Sequence, residues 1–215
     1  MTSPRWPAVL FDLDGTLANT IPLILASYRW TIAEHGLEPA DEATIRSWIG
    51  RTLDDMFAEL AGERGPELVD AYSTWQLAHV DDLLEPYAGI HELVDDLVEA
   101  GVRVGIATSR RRLSAEAIVA ALELDDHLVV AAAMEDTEAH KPDPAPLLLA
   151  AQRLGFDAAT TAYVGDALVD LRAANAAGMA GIGVTWGAGD PDAMHAELAV
   201  AVVDTRDALR SVLLG

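Results

Sequence analysis

Short apolar segments alternate with helical patterns along most of this chain. The apolar segments are 8–11, 102–107, 128–132, 161–164, 182–185 and 200–203, and the helical patterns between them are 91–100, 114–122, 144–154 and 170–177. Strands that are buried on both faces have this continuous apolar character, whereas helices show a longer apolar period. The alternation predicts an α/β fold in which helices cover both faces of a parallel sheet.

One region interrupts the alternation. Between residues 18 and 85 we find no convincing strand, and helical patterns occupy 21–35, 42–48, 53–60 and 66–83. Gly36, Gly50, Gly62 and Gly65 separate these patterns. The chain has 215 residues, 51 % of them hydrophobic, which is enough for one domain with a smaller insertion. We predict a core formed by 1–17 and 86–215, with residues 18–85 as a helical insert.

The charge of the chain limits its partners. Its formal net charge is −21, so it should repel nucleic acids and anionic membrane surfaces. It has no cysteine, which excludes disulfides and thiolate metal ligands. No apolar run is long enough to cross a membrane, and residues 1–7 lack the pattern of a signal peptide. A cytoplasmic location is the expectation, and the oligomeric state is left open.

Acidic, hydroxyl and basic side chains follow the predicted strands. In open parallel sheets, ligands bind beyond the carboxyl ends of the strands, so residues that follow different strands should converge there. The residues in these positions are Asp12, Asp14, Gly15, Thr108, Ser109, Lys141, Asp166 and Asp170.

This set of side chains suits a phosphate group and a hard cation. Mg²⁺ prefers oxygen ligands, which Asp12 and Asp166 can supply. A carboxylate such as Asp12 can attack phosphorus once a metal and a lysine offset the charge repulsion. Asp14 is placed to protonate the leaving alcohol and later to deprotonate water. Lys141 is the only lysine in this acidic chain.

Four motifs, in order, resemble those of the haloacid dehalogenase-like superfamily. They are Asp12-Leu13-Asp14-Gly15-Thr16, Thr108-Ser109, Lys141-Pro142, and Gly165-Asp166 with Asp170. The resemblance extends from residue 9 to about residue 187. It implies a Rossmann-like sheet of central order 5-4-1-2-3, with residues 18–85 as a helical cap. Within the superfamily, the chain looks most like the phosphoglycolate phosphatase-like group.

The resemblance also implies roles for the matching residues. Asp12 would be the nucleophile, and Asp14 the general acid and base. Asp12, Asp166 and the backbone carbonyl of Asp14 would bind Mg²⁺. Thr108 and Lys141 would hold the phosphate, while Asp170 would orient Lys141 or a metal-bound water. Apart from the resemblance, Gly15 lets the backbone approach the phosphate closely, and Ser109 can present a hydroxyl and an amide to it.

The resemblance leaves the roles of three positions open. Ala167 stands where the superfamily often has Ser or Thr, so one hydroxyl near the metal is missing. Arg110 follows Thr108-Ser109 where Lys, Asn or Ser is common, and it is a candidate substrate residue. Arg51, in a Gly-Arg-Thr turn of the insert, is a candidate to bind a second anionic group of the substrate. In the alternative interpretation, Arg51 is a surface residue that forms an ion pair with Asp54 or Asp55.

The expected function is a Mg²⁺-dependent phosphatase that hydrolyses a small phosphorylated metabolite, a phosphomonoester, through an aspartyl-phosphate on Asp12. A phosphomutase of the β-phosphoglucomutase type would share this nucleophile. A non-catalytic binding protein on the same fold is a third possibility. Metal-free dehalogenase chemistry fits less well, because such relatives usually lack a second carboxylate like that of Asp14.

Overall fold

The computed structural model describes residues 4–215, so the first three residues of the segment examined for a signal peptide lie outside it. The strands are β1 (Ala8–Phe11), β2 (Ala18–Asn19), β3 (Glu85–Pro86), β4 (Arg103–Ala107), β5 (Val130–Ala132), β6 (Thr161–Gly165), β7 (Ala180–Val184) and β8 (Ala201–Val203). The helices are α1 (Ile21–Glu34), α2 (Glu42–Ser47), α3 (Leu53–Ala61), α4 (Gly65–Ala78), α5 (Val80–Leu83), α6 (Ile90–Glu99), α7 (Arg112–Ala121), α8 (Ala145–Leu154), α9 (Leu168–Ala177), α10 (Pro191–Ala196) and α11 (Arg206–Leu214).

Six parallel strands form the main sheet, in the order β5-β4-β1-β6-β7-β8. Numbered along the chain within this sheet, the order is 3-2-1-4-5-6. The central order expected from the sequence is therefore confirmed, with a sixth strand added beside the fifth. The α/β fold is confirmed as well. None of the helices in the described part of the chain has both the length and the apolarity that a membrane span needs.

The side chains of β1 alternate between two apolar clusters, one on each face of the sheet. Val9 and Phe11 belong to the cluster on one face, and Leu10 belongs to the cluster on the other. This alternation follows from the two-residue period of a strand. Helices α6, α7 and α11 contribute to the first cluster, whereas α8 and α9 contribute to the second. β1 is therefore buried on both sides, which holds the residue that follows it in a fixed position.

The segment 18–85 is helical, but it differs from the sequence prediction at two places. Its ends form a short antiparallel ladder, in which Ala18 pairs with Pro86 and Asn19 with Glu85. Strands of two residues are too short to give an alternating pattern, so the expectation of no strand in this region was wrong at its ends. The single helix expected at 66–83 is divided at His79, where the backbone leaves the helical conformation.

The insert also has an apolar cluster of its own. Tyr28 of α1, Phe57 of α3 and Tyr72 of α4 pack together there, with ring centroids 4.9–5.8 Å apart. The exact division into a core of 1–17 and 86–215 and a cap of 18–85 stays a prediction.

Candidate active site

Three neighbouring strands bring site residues to one edge of the sheet. β4, β1 and β6 lie side by side and run parallel, so Thr108, Asp12 and Asp166 follow them at the same carboxyl edge. The pairing continues into the site, because the Asp12 amide donates to the Val164 carbonyl at 2.8 Å. Asp12 is therefore held by the sheet itself.

Asp12, Asp166 and Asp170 form a buried cluster of carboxylates. One oxygen atom of each lies within 4.8 Å of the others. Burial raises the pKa of Asp12 to about 7, because the opposing effect of Lys141 does not cancel it and Asp170 adds to it. Burial also raises the pKa of Asp166 well above its usual value, with further contributions from Asp170 and Asp12. A cation would stabilise the charged form of this cluster.

The donor set of the cluster fits Mg²⁺. It consists of carboxylate oxygens, which are the ligands that this hard cation prefers. Two of the ligands expected from the sequence, Asp12 and Asp166, belong to it, and Asp170 is its third member. The side chain of Asp14 lies elsewhere, against Arg110, so Asp14 could reach the same ion only through its backbone carbonyl.

Lys141 connects two of these carboxylates. Its Nζ lies 2.8 Å from Oδ1 of Asp12 and 2.7 Å from Oδ1 of Asp170, and it also donates to the Tyr163 hydroxyl at 3.1 Å. The Lys141 side chain is only 4 % exposed. Burial acts to lower its pKa, but the charges of Asp12 and Asp170 raise the pKa well above the usual value. Lys141 is therefore a permanent ammonium group beside the Asp12 carboxylate.

Tyr163 is a site residue that the sequence analysis missed. It lies in the middle of β6 and is fully buried, so it read as one member of an apolar run. Its hydroxyl donates to the Ala107 carbonyl at 2.9 Å while it accepts from Lys141. A tyrosine within an apolar run is itself a signal for a polar site nearby, because a buried tyrosine hydroxyl usually needs a hydrogen-bond partner.

Asp166 is surrounded by backbone that leaves no room for other side chains. Gly15 has a φ of +77°, and a Cβ added there would collide with the Asp166 carboxylate. A Cβ at Gly187 would collide with the same carboxylate. The Ala188 amide donates to Asp166 Oδ2 at 2.7 Å. The loop 187–189 after β7 therefore belongs to the site, although it was not predicted from the sequence. Its Gly-Ala-Gly sequence is the signal for this close packing.

Asp14 is bound by a buried arginine. Arg110 donates to its two carboxylate oxygens, from Nη2 at 2.6 Å and from Nε at 3.0 and 3.1 Å. The Thr20 hydroxyl donates to Asp14 Oδ1 at 2.5 Å. Burial acts to raise the pKa of Asp14, but the charge and hydrogen bonds of Arg110, with the Thr20 bond, lower it below its usual value.

Arg110 also connects the core to the insert. Its Nη1 donates to Ser114 Oγ on α7 at 2.9 Å and to Oε1 of Gln76 on α4. The Gln76 amide in turn donates to the Tyr72 hydroxyl at 2.9 Å. Gln76 and Ser114 were not identified from the sequence. Gln76 is 34 residues from Arg110, and Ser114 is four residues from it but begins the helical pattern 114–122.

The remaining predicted residues line the same cavity. Thr108 is buried, and its hydroxyl accepts the Arg110 amide at 3.2 Å. Ser109 and Arg51 also border the cavity. Arg51 lies in the insert with its side chain 44 % exposed, and its guanidinium pairs with Glu59 at 2.9 Å. The alternative partners considered for Arg51, Asp54 and Asp55, were therefore wrong, and Asp54 pairs with Arg111.

The insert supplies the apolar wall of the cavity. Its lining residues there are Ile24, Tyr28, Trp48, Ile49, Leu53 and Tyr72. The cavity thus combines a charged floor from the core with an aromatic wall, which is typical of sites for small organic ligands.

This sequence pattern and fold also occur in known proteins. The family described as haloacid dehalogenase-like hydrolase matches residues 9–184. The pyrophosphatase PpaX of Bacillus velezensis is 32 % identical over 186 residues, which cover 86 % of each chain. A structure described as that of a candidate phosphoglycolate phosphatase from Lactobacillus plantarum superposes with a TM-score of 0.85 at 27 % identity, over 97 % of this chain and 100 % of that one.

A β-phosphoglucomutase from Clostridium difficile has a TM-score of 0.79 at 20 % identity, over 95 % of this chain and 93 % of that one. This likeness bears on the fold alone. The family match covers most of the chain, and the strand-end motifs that define the site lie within it. The chain belongs to the haloacid dehalogenase-like hydrolases.

Proposed function

We propose that the protein is a Mg²⁺-dependent phosphatase that hydrolyses a small phosphomonoester through an aspartyl-phosphate on Asp12. The observation that carries this proposal is the Asp12 carboxylate, fixed at the end of β1 and 2.8 Å from the buried ammonium of Lys141. Such a pair places a nucleophile next to a cation that can offset the charge of the phosphoryl oxygens.

In the first half of the reaction, a carboxylate oxygen of Asp12 forms a bond to phosphorus while the bond from phosphorus to the leaving oxygen breaks. Lys141 offsets the negative charge on the phosphoryl oxygens, and Thr108 and Ser109 offer hydroxyl and amide hydrogens. Asp14, in its protonated form, gives its proton to the leaving oxygen, so that a neutral alcohol departs.

In the second half, water attacks the phosphorus of the aspartyl-phosphate. Asp14 accepts a proton from that water, and the bond between phosphorus and the Asp12 oxygen breaks. Inorganic phosphate is released, and the Asp12 carboxylate and the Asp14 carboxyl are both restored.

The residues that would hold Mg²⁺ are Asp12, Asp166 and the backbone carbonyl of Asp14, with Asp170 beside them. Bound Mg²⁺ supplies electrostatic stabilisation of the charge that develops during phosphoryl transfer. Asp170 has a second task, since it also accepts a hydrogen bond from Lys141 and fixes the position of that ammonium.

Residues 18–85 act as a cap over the site. Two contacts from the core reach across the cavity to the insert, from Arg110 to Gln76 and from Arg111 to Asp54. A cap in this position excludes bulk water, which strengthens the electrostatic interactions of the reacting groups. A cytoplasmic location, and the lack of nucleic-acid and membrane partners, stay predictions from composition.

Pyrophosphate is a second candidate substrate, and the name of the relative PpaX favours it. Hydrolysis of pyrophosphate would use the same nucleophile, with phosphate as the leaving group. A phosphomutase can be distinguished from a phosphomonoester phosphatase and from a pyrophosphatase, because it needs a bis-phosphorylated sugar for turnover.

The test is a screen of phosphorylated metabolites, pyrophosphate and p-nitrophenyl phosphate, with Mg²⁺ and with a chelator. We expect Mg²⁺-dependent release of phosphate from at least one ester by the wild type, and its loss in Asp12→Asn. Conversion of glucose 1-phosphate to glucose 6-phosphate, stimulated by a bis-phosphorylated sugar, would instead support the mutase. Absence of turnover across the panel would support a binding protein.

A further inference from the structure

Arg110 is a buried cation in the cavity, and its donors are divided between Asp14, Ser114 of the core and Gln76 of the insert. Its side chain is 7 % exposed. Nε and Nη2 bind Asp14, whereas Nη1 donates to Ser114 and Gln76. The planar fork of a guanidinium binds any carboxylate or phosphate in the same way as it binds Asp14.

The contact with Arg110 opposes the role proposed for Asp14. To act on the leaving oxygen, Asp14 must turn a carboxyl oxygen toward the substrate. Both oxygens accept hydrogen bonds from Arg110, and Thr20 donates to one of them. If Asp14 moved away, a buried guanidinium would lose its counter-charge, which is strongly unfavourable. A second anion bound to Arg110 would remove this obstacle.

The other cations that border the cavity are placed differently. Lys141 is held between Asp12 and Asp170, beside the proposed nucleophile. Arg111 and Arg51 are more exposed, at 30 % and 44 %, and each pairs with a carboxylate of the insert. Arg110 is thus the buried arginine that faces both Asp14 and the cap. The aromatic wall around it lowers the local dielectric constant and so strengthens a charge pair formed there.

We propose that Arg110 recognises a negatively charged group on the leaving part of the substrate, and that this anion replaces Asp14 on the guanidinium and frees Asp14 to act on the leaving oxygen. The inference rests on the proposed phosphatase function and narrows its substrate class. The leaving group would carry a carboxylate or phosphate close to the oxygen that bridges to phosphorus. In this exchange one anion replaces another on the same cation. Asp14 is a carboxylate while Arg110 binds it, so on leaving the guanidinium it takes up from solvent the proton that it then gives to the leaving oxygen.

The first measurement uses the wild-type enzyme and a matched pair of esters. In 2-phosphoglycolate the leaving group ends in a carboxylate, whereas in 2-hydroxyethyl phosphate a neutral hydroxymethyl group takes its place. Pyrophosphate is the third substrate, and its leaving group is a phosphate. We expect kcat/KM for the better of the two anionic substrates to exceed that for the neutral ester by at least about tenfold, the scale of one charge-assisted contact. A smaller preference, or a preference for the neutral ester, overturns the proposal.

The second measurement compares Arg110→Gln with Arg111→Gln, a neighbouring arginine whose partner is exposed. The ratio of kcat/KM between anionic and neutral substrates should fall at least about tenfold in Arg110→Gln and stay within about twofold in Arg111→Gln. An unchanged ratio in folded Arg110→Gln contradicts the proposal. If that variant does not fold, Arg110→Lys replaces it, and the same fall in the ratio is expected because the fork is lost.

The two proposals fail in different ways. If the wild type releases no phosphate from p-nitrophenyl phosphate or from any of the three substrates with Mg²⁺, the phosphatase function itself is wrong. If it hydrolyses them through Asp12 without preferring an anionic leaving group, only the role of Arg110 is wrong.

Discussion

The Nζ atom of Lys141 lies 2.8 Å from the carboxylate of Asp12, although the two residues are 129 positions apart in the chain. The same ammonium lies 2.7 Å from Asp170, so one cation serves two buried carboxylates. This arrangement fixes the only lysine of the chain next to the proposed nucleophile. It also means that Lys141 contributes to folding as well as to the reaction.

Replacement of Lys141 should therefore affect both activity and stability. In Lys141→Ala, kcat/KM should fall by about 10²–10³-fold, the usual effect of removing one charge-stabilising donor. The free energy of unfolding should fall by about 3–5 kcal/mol, because two buried carboxylates lose their partner. Steady-state kinetics at a temperature where circular dichroism shows a folded variant separates the two effects. Full kcat/KM in the folded variant would exclude contact between Lys141 and the phosphate.

The carboxylate cluster should make the metal-free protein less stable at neutral pH than at mildly acidic pH. Burial raises the pKa of Asp12 to about 7, so the folded state holds this proton more tightly than the unfolded chain does. Stability from this group is therefore present at low pH and declines as the pH rises from about 4, the unfolded value, to about 7. Mg²⁺ should reverse the decline, since it binds the ionised cluster of the folded state.

Asp166→Asn tests this electrostatic cost directly. In a chelator at neutral pH, the variant should unfold at least about 2–4 °C above the wild type, the shift that about 1 kcal/mol produces in a chain of this size. Added Mg²⁺ should raise the unfolding temperature of the wild type but not that of the variant. Thermal unfolding with and without Mg²⁺ provides the measurement. A variant that is less stable than the wild type in chelator would show that the cluster is not strained.

Gly15 should be required for its lack of a side chain, beyond its positive φ. In Gly15→Ala, the added methyl group would displace Asp166, and activity should fall by about 10²-fold, as small misplacements of reacting groups do. Gly36→Ala is the matched control, since Gly36 also has a positive φ but nothing lies within 4 Å of an added Cβ. This control should lose about 1–2 kcal/mol of stability and keep its activity. Equal activity in both variants would show that the close contact with Asp166 is not the reason why glycine is required at position 15.

Arg51 should contribute little to stability or to substrate choice. Its guanidinium is 44 % exposed and paired with Glu59, and exposed ion pairs contribute at most about 1 kcal/mol. We expect Arg51→Ala to lower kcat/KM for substrates with an anionic leaving group by less than about threefold, well below the loss in Arg110→Gln. Kinetics on 2-phosphoglycolate and p-nitrophenyl phosphate tests this. A selective loss of about tenfold or more on 2-phosphoglycolate would restore Arg51 as the residue that binds the leaving group.

The sequence predicts the sheet and the strand-end residues because both depend on local patterns. A buried parallel strand is a continuous apolar run. Asp12 and Thr108 each follow one directly, and Asp166 follows another after Gly165. The long-range partners could not be predicted in this way. The contact between Asp14 and Arg110 depends on how the loop after β4 packs against the loop after β1, and Gln76 reaches it only through the packing of α4.

The most direct test of the central claim is to trap the phosphorylated enzyme. Wild-type protein in steady-state turnover is quenched with acid and treated with borohydride, which reduces an aspartyl-phosphate to homoserine, and the peptides are analysed by mass spectrometry. The account predicts homoserine at position 12 in the wild type, none without substrate, and none in Asp12→Asn, which should lose activity by several orders of magnitude. Absence of homoserine at position 12, together with more than about a tenth of wild-type activity in Asp12→Asn, would contradict it.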